Sequence, residues 1–187
     1  LASSTSAIPG SRFMGEIRNP ERALVAHPVN PPSHIPLVEL CATPWTSPET
    51  LTKARSFMND LGMKPITINR EIQGFVLNRL QYTLVAEAMH LVGEGYCSME
   101  DIDTVLVHGL ALRWASIGPF EVAHLNSTQG FLGFVEQLGP MMKTMGREAR
   151  TDYDWDHSLA ERIHEELVRK TPVERIAERQ AWRNSRI

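Results

Sequence analysis

The chain has 187 residues, 42% hydrophobic and 22% charged, with a formal net charge of −3. That is ordinary for a soluble globular protein of one or two domains, and it offers no basic surface for nucleic acid or an anionic membrane. No apolar run reaches the roughly 20 residues of a membrane helix, and no signal-peptide pattern opens the chain. Two cysteines, Cys41 and Cys97, sit in unrelated contexts. They make neither a disulfide framework nor a CxxC metal site, so a cytoplasmic protein with reduced thiols is expected.

The first residue is Leu, not Met, and Leu1-Ala2 reads as the end of a strand running into the hydroxyl cluster Ser3-Ser4-Thr5-Ser6. Residues upstream of Leu1 are therefore expected. Ala23 to Ala26 is a short apolar run that suits a buried strand, halted by His27-Pro28-Val29-Asn30-Pro31-Pro32. Ile35 to Cys41 reads as another strand. Thr46-Ser47-Pro48-Glu49 is a helix start, with a hydroxyl cap, a first-turn proline and an acid. Leu51, Ala54, Met58 and Leu61 then recur at helical spacing, Gly62 closes the helix, and Ile66 to Ile68 follows as a strand.

The remainder reads as helix. Val76, Leu80, Leu84, Ala88, Leu91 and Val92 line one face of a segment from Gly74 to Gly93. Ser98 starts a second helix reaching about His108, and Ile117 to Phe120 is a turn before a third. Phe131 to Met145 and Ser158 to Arg169 are amphipathic, and Pro172 opens a polar, Arg-rich final helix. The boundary between the mixed and helical parts is placed near Arg70.

His27 ends an apolar run before a proline-rich turn, where α/β proteins bind ligands, and histidine titrates near neutral pH. Twelve residues on, Glu39 sits inside the apolar stretch Pro36-Leu37-Val38-Glu39-Leu40. A carboxylate inside a strand is costly unless paired, and a histidine on the neighbouring strand is its natural partner. Glu39 would then orient His27 as an acid does in a triad. From the residues alone, an edge-strand Glu facing water and a His capping a turn stand equally. Asn78 lies in the first turns of an apolar helix, either bonded to a substrate carbonyl or the His27 side, or partly exposed. The Ser3 to Ser6 hydroxyls suit a nicotinamide ribose or a substrate oxygen.

Two constellations fail. Asp152, Asp154 and Asp156 resemble the start of a calcium loop, but the required glycine is His157 and the twelfth position is Ile163. The spacing of His27, His34, Glu39 and Cys41 matches no zinc pattern. No metal is expected, and without G-x-S-x-G serine hydrolysis is not expected either.

LASSTS, AHPVNPP, IPLVEL, GFVLNRLQY, EDID and IGPFE, in that order, resemble the C-terminal part of the 3-hydroxyacyl-CoA dehydrogenase family. The LRWASIGP segment resembles the branch holding lambda-crystallin and L-gulonate 3-dehydrogenase. The resemblance implies an α/β remnant, the end of a Rossmann-type domain, over 1–70, then an all-α C-terminal dimerisation domain over 71–187. It implies His27 as general base and acid, Glu39 as its paired carboxylate, and Ser6 and Asn78 as hydrogen-bond partners of the substrate oxygen. NAD is the implied cofactor, with Ser6 and Ser4 on the nicotinamide side.

The family's G-x-G-x-x-G fingerprint does not occur, so this chain alone is expected to bind NAD poorly. Arg113 can clamp a free carboxylate in bidentate fashion, or form an ion pair within a dimer. The expected reaction is reversible NAD-linked oxidation of a 3-hydroxy acid to its 3-keto form. A 3-hydroxyacyl-CoA thioester or a carnitine-type substrate is the enzymatic alternative. A structural crystallin-like protein or a stand-alone dimerisation module is the rival class. The helical half carries more apolar surface than one thin layer can bury, which favours a homodimer.

Overall fold

A computed structural model describes residues 1–152 and 157–187. Two of the three acids in the rejected calcium loop, Asp154 and Asp156, lie outside the described residues. The chain divides into two compact units, Leu1–Gln81 with Thr171–Ile187, and Tyr82–Lys170.

The first unit is built on a four-stranded sheet in the order β1-β2-β3-β4. The strands are β1 (Ala2–Ser3), β2 (Leu24–Pro28), β3 (Leu37–Ala42) and β4 (Lys64–Ile68). β1 runs parallel to β2, β2 antiparallel to β3, and β3 parallel to β4. The expected strands all form, and β2 continues through His27 to Pro28, beyond the apolar run. It can do so because the polar side chain that interrupts the run has its partner on β3.

Side chains alternate across a sheet, and here the alternation separates two apolar layers. Leu24, Ala26, Val38 and Leu40 face helix α1 (Pro48–Asp60) and bury Leu51, Ala54 and Met58. Val25 and Cys41 face the other way and pack with Met14, Ala23, Ile68 and Phe75. α1 begins as its sequence indicates: the Ser47 hydroxyl accepts from the Thr50 amide at 3.2 Å, and Pro48 opens the first turn. It ends at Gly62, whose φ of +78° is the left-handed conformation that favours glycine.

Between Ile68 and Phe75 the chain passes from β4 to α2 (Phe75–Gly93). The compact units themselves part later, within α2, between Gln81 and Tyr82. The reason lies in the first turn of α2, which hydrogen-bonds to β3 and to the loop after β1. The final helix α8 (Ile176–Asn184) falls in the first unit.

The second unit holds the rest of α2 with α3 (Met99–Val105), α4 (Ala111–Trp114), α5 (Pro119–Leu125), α6 (Gly130–Glu148) and α7 (His157–Lys170). A capping box between Ser98 and Asp101 starts α3. A wide π turn over Leu106–Leu110 joins α3 to α4. Among the described residues this unit buries only Ala86, Met89, Gly133 and Leu159. Phe120 is 78% exposed and Leu132 75%. No helix among the described residues is long and apolar enough to cross a membrane.

Candidate active site

His27 and Glu39 are directly opposed residues of β2 and β3. Both lie on the sheet face of Val25 and Cys41, because each stands two residues from one of them along its strand. β3 is an interior strand between β2 and β4, so Glu39 has no edge from which to reach water. It is fully buried, and His27 is 5% exposed. His27 Nδ1 and Glu39 Oε2 are 2.7 Å apart. Of the alternatives left open by the sequence, the structure shows the paired one.

A buried carboxylate needs more than one donor. The second oxygen, Oε1, accepts from the backbone N–H groups of Val76 at 2.9 Å and Leu77 at 3.0 Å. These are free amides of the first turn of α2, so Glu39 also satisfies a helix N-terminus, where negative charge is favoured. With Glu39 accepting from Nδ1–H, neutral His27 carries its lone pair on Nε2. That nitrogen has no hydrogen-bond partner among the described residues and keeps some solvent-accessible surface.

The turn 73–78 brings two more of the expected residues, Asn78 and Ser6, to this pair. Gly74 and Phe75 both take left-handed backbone conformations, with φ of +77° and +51°. The Gly74 N–H donates to the Ala7 carbonyl at 2.9 Å. The Phe75 ring is fully buried, with its centroid 5.4 Å from that of the His27 ring at an interplanar angle of 38°. Asn78 Nδ2 donates to the Ser6 carbonyl at 2.7 Å. Since a carbonyl only accepts, the amide orientation is fixed, and Asn78 keeps Oδ1 and one N–H for another partner. The structure thus gives Asn78 a hold on the Ser6 backbone in addition to its expected contact with substrate.

Ser4 and Ser6 are exposed, and their hydroxyls have no partner among the described residues. Arg113 is exposed on α4 of the second unit, without an ion-pair partner among the described residues. No three His, Cys, Asp or Glu side chains among the described residues form a metal-binding group. Beside the pair, burial pushes the Cys41 thiol up to about 11, and the Glu71 and Glu39 carboxylates add to the effect.

Sequence reasoning misses Phe75 and the amides of Val76 and Leu77. A signal for the amides exists. α2 is preceded by Ile72-Gln73-Gly74, without a Ser, Thr, Asp or Asn cap, while β3 carries a buried acid that needs donors. The two deficits answer each other.

The residues present fit one end of a dinucleotide. The free Ser4 and Ser6 hydroxyls suit a ribose or carboxamide, whereas no glycine-rich turn for a pyrophosphate occurs in the chain.

Residues 1–72 match the model of the 3-hydroxyacyl-CoA dehydrogenase NAD binding domain. Residues 74–180 match that of the C-terminal domain. The match is therefore not confined to the C-terminal domain. A lambda-crystallin homolog of Bos taurus is 41% identical over 98% of this chain and 58% of its own length. An L-carnitine dehydrogenase of Bacillus cereus is 40% identical over 76% of this chain and 44% of its own. The chain thus spans little more than half the length of the first of these curated relatives.

Among solved structures, an NAD+-dependent 5-formyl-3-hydroxy-2-methylpyridine 4-carboxylic acid 5-dehydrogenase superposes with a TM-score of 0.68 at 28% identity, covering 95% of this chain and 63% of that one. The (S)-3-hydroxybutyryl-CoA dehydrogenase of Ralstonia eutropha gives 0.54 at 29%, covering 74% and 48%. With more than half of its length matched by one family model and most of the rest by the other, the chain belongs to the 3-hydroxyacyl-CoA dehydrogenase family.

Proposed function

We infer that the protein to which this chain belongs is an NAD-dependent dehydrogenase that interconverts a 3-hydroxy acid and its 3-keto form. The observation that carries this reading is the buried His27–Glu39 contact of 2.7 Å, with Nε2 left open. When bound, NAD supplies the hydride acceptor. His27 Nε2 removes the proton of the substrate 3-hydroxyl, and returns it to the 3-keto oxygen in the reverse direction. Glu39 holds the imidazole in one tautomer and balances the imidazolium that forms. Ser6, through its hydroxyl, and Asn78, through Oδ1 or its remaining N–H, hold the reacting oxygen. Ser4 and Ser6 hold the nicotinamide side.

Arg113 pairs with a free carboxylate on the substrate, which favours a hydroxy acid over a thioester. Support comes from its guanidinium, which has no ion-pair partner among the described residues, and from the carnitine dehydrogenase relative. The open apolar faces of the second unit support a homodimer, which sedimentation over a range of concentrations tests.

The test is turnover of the full-length protein with NAD and L-gulonate, 3-hydroxybutyrate, carnitine or 3-hydroxybutyryl-CoA, followed by NADH absorbance. Turnover that His27→Ala abolishes supports the dehydrogenase. NAD binding without turnover on any substrate supports the structural reading, which the lambda-crystallin relative favours.

A further inference from the structure

We propose that Phe75 is a positioning residue for His27, holding the imidazole against Glu39 so that Nε2 is the nitrogen presented outward. The proposal rests on the dehydrogenase reading for its catalytic consequence, but not for its structural content.

Phe75 is fully buried at the start of α2, with its ring against the His27 ring at 5.4 Å. Its φ of +51° is unusual for a residue with a large side chain and is a conformation in which strain is stored. Gly74 beside it is also left-handed. These two residues reverse the chain after Gln73, so that the next two amides meet Glu39 Oε1 and the Phe75 ring meets His27. One turn therefore touches both members of the pair. It fixes the acid by hydrogen bonds and the base by ring contact.

An imidazole bonded to a carboxylate through Nδ1 alone retains freedom to tilt about that bond. A ring packed on one side removes that freedom, as sites that hold reacting groups within a fraction of an ångström require. The left-handed conformation and the ring contact occur at the same residue. The titratable groups near the pair are Cys41, two residues further along β3 and opposite Val25, and Glu71 in the segment before α2, whose carboxylate acts on the Cys41 thiol.

The first measurement is nitrogen-15 NMR of histidine-labelled chain. His27 should show a single tautomer, protonated at Nδ1, with a slowly exchanging proton and a nuclear Overhauser contact to the Phe75 ring. A tautomer mixture, an Nε2–H form or a missing ring contact overturns the proposal.

The second is Phe75→Leu, which keeps most of the buried apolar volume but loses the flat ring. The Nδ1 proton should exchange about tenfold faster or more, and in the full-length enzyme kcat should fall about tenfold to a hundredfold with KM within about twofold. Unchanged exchange in a folded variant overturns the proposal. If the variant does not fold, the tautomer and the ring contact in the unaltered chain decide. A full-length protein without turnover whose His27 still passes the NMR test defeats the dehydrogenase reading and leaves the positioning role standing.

Discussion

Glu39 contacts His27 through one carboxylate oxygen and the start of α2 through the other. The two functions separate by substitution. Glu39→Gln keeps an oxygen for the amides of Val76 and Leu77, but meets Nδ1 with an N–H donor unless the ring changes tautomer and loses its outward lone pair. Activity of the full-length enzyme should fall by about a hundredfold or more, with a modest change in stability. Glu39→Ala leaves the buried amides without an acceptor as well, and should lower stability by about 3 kcal/mol. Denaturant midpoints and initial rates on both variants check the ordering.

Gly74 and Gly62 share nearly the same left-handed backbone, and neither would clash with an added Cβ: the nearest atom at Gly74 is Arg79 Cγ at 3.7 Å, and nothing lies within 4 Å at Gly62. Substitution by alanine should therefore destabilise both sites by backbone strain alone, about 1 kcal/mol each. Only Gly74→Ala should disturb the site, because the turn it opens aims two amides at Glu39. Equal losses of stability with unequal losses of turnover are expected. Unimpaired turnover in Gly74→Ala would show that the turn geometry is irrelevant to the reaction.

Asn78 holds the Ser6 carbonyl at 2.7 Å. Asn78→Ala loses that hydrogen bond and should cost about 1 kcal/mol. Asn78→Asp sets an ionised oxygen against the carbonyl and should be the worse of the two in both stability and kcat, although it is closer in shape. Thermal unfolding of the pair at neutral pH tests the order, and an aspartate variant as stable as wild type would contradict it.

Cys41 is 1% exposed, and its thiol is pushed up from 9.0 to about 11 by burial, with Glu71 and Glu39 adding to the shift. Between these values the unfolded chain releases the proton while the folded chain keeps it. The folded state then binds more protons, so stability falls as pH rises through this window and is undiminished by this group below it. Urea midpoints measured from pH 9 to pH 11 should decline more steeply in the native sequence than in Cys41→Ala. A thiol reagent at neutral pH should modify the partly exposed Cys97 well before Cys41.

The strands and helices are largely legible in the sequence because their signals are local. Ser47-Pro48-Glu49 caps α1, Gly62 ends it, and the acid inside Pro36 to Leu40 calls for a partner across the sheet. Other features depend on residues far apart in the chain. Phe75 reads as one more apolar residue on a helix face, since its backbone conformation leaves no mark in its identity. Backbone amides, such as those of Val76 and Leu77, are common to almost every residue, so only the missing cap before α2 points to them. Asn78 reads either as a ligand contact or as a partly exposed helix residue, whereas it grips a carbonyl 72 positions earlier in the chain.

The pairing of Leu24, Val25, Ala26, His27 and Pro28 with Ala42, Cys41, Leu40, Glu39 and Val38 has a consequence for how the site can be lost. Sliding β3 by one residue would separate His27 from Glu39, but it would also turn Val38 and Leu40 away from α1. The misaligned hairpin would expose its core in the same movement that dismantles the acid–base pair. Assembly of the pair is thereby proofread by hydrophobic burial: a chain whose sheet has closed correctly has already set the two groups together, and errors in folding are not a route to a stable protein with a broken site.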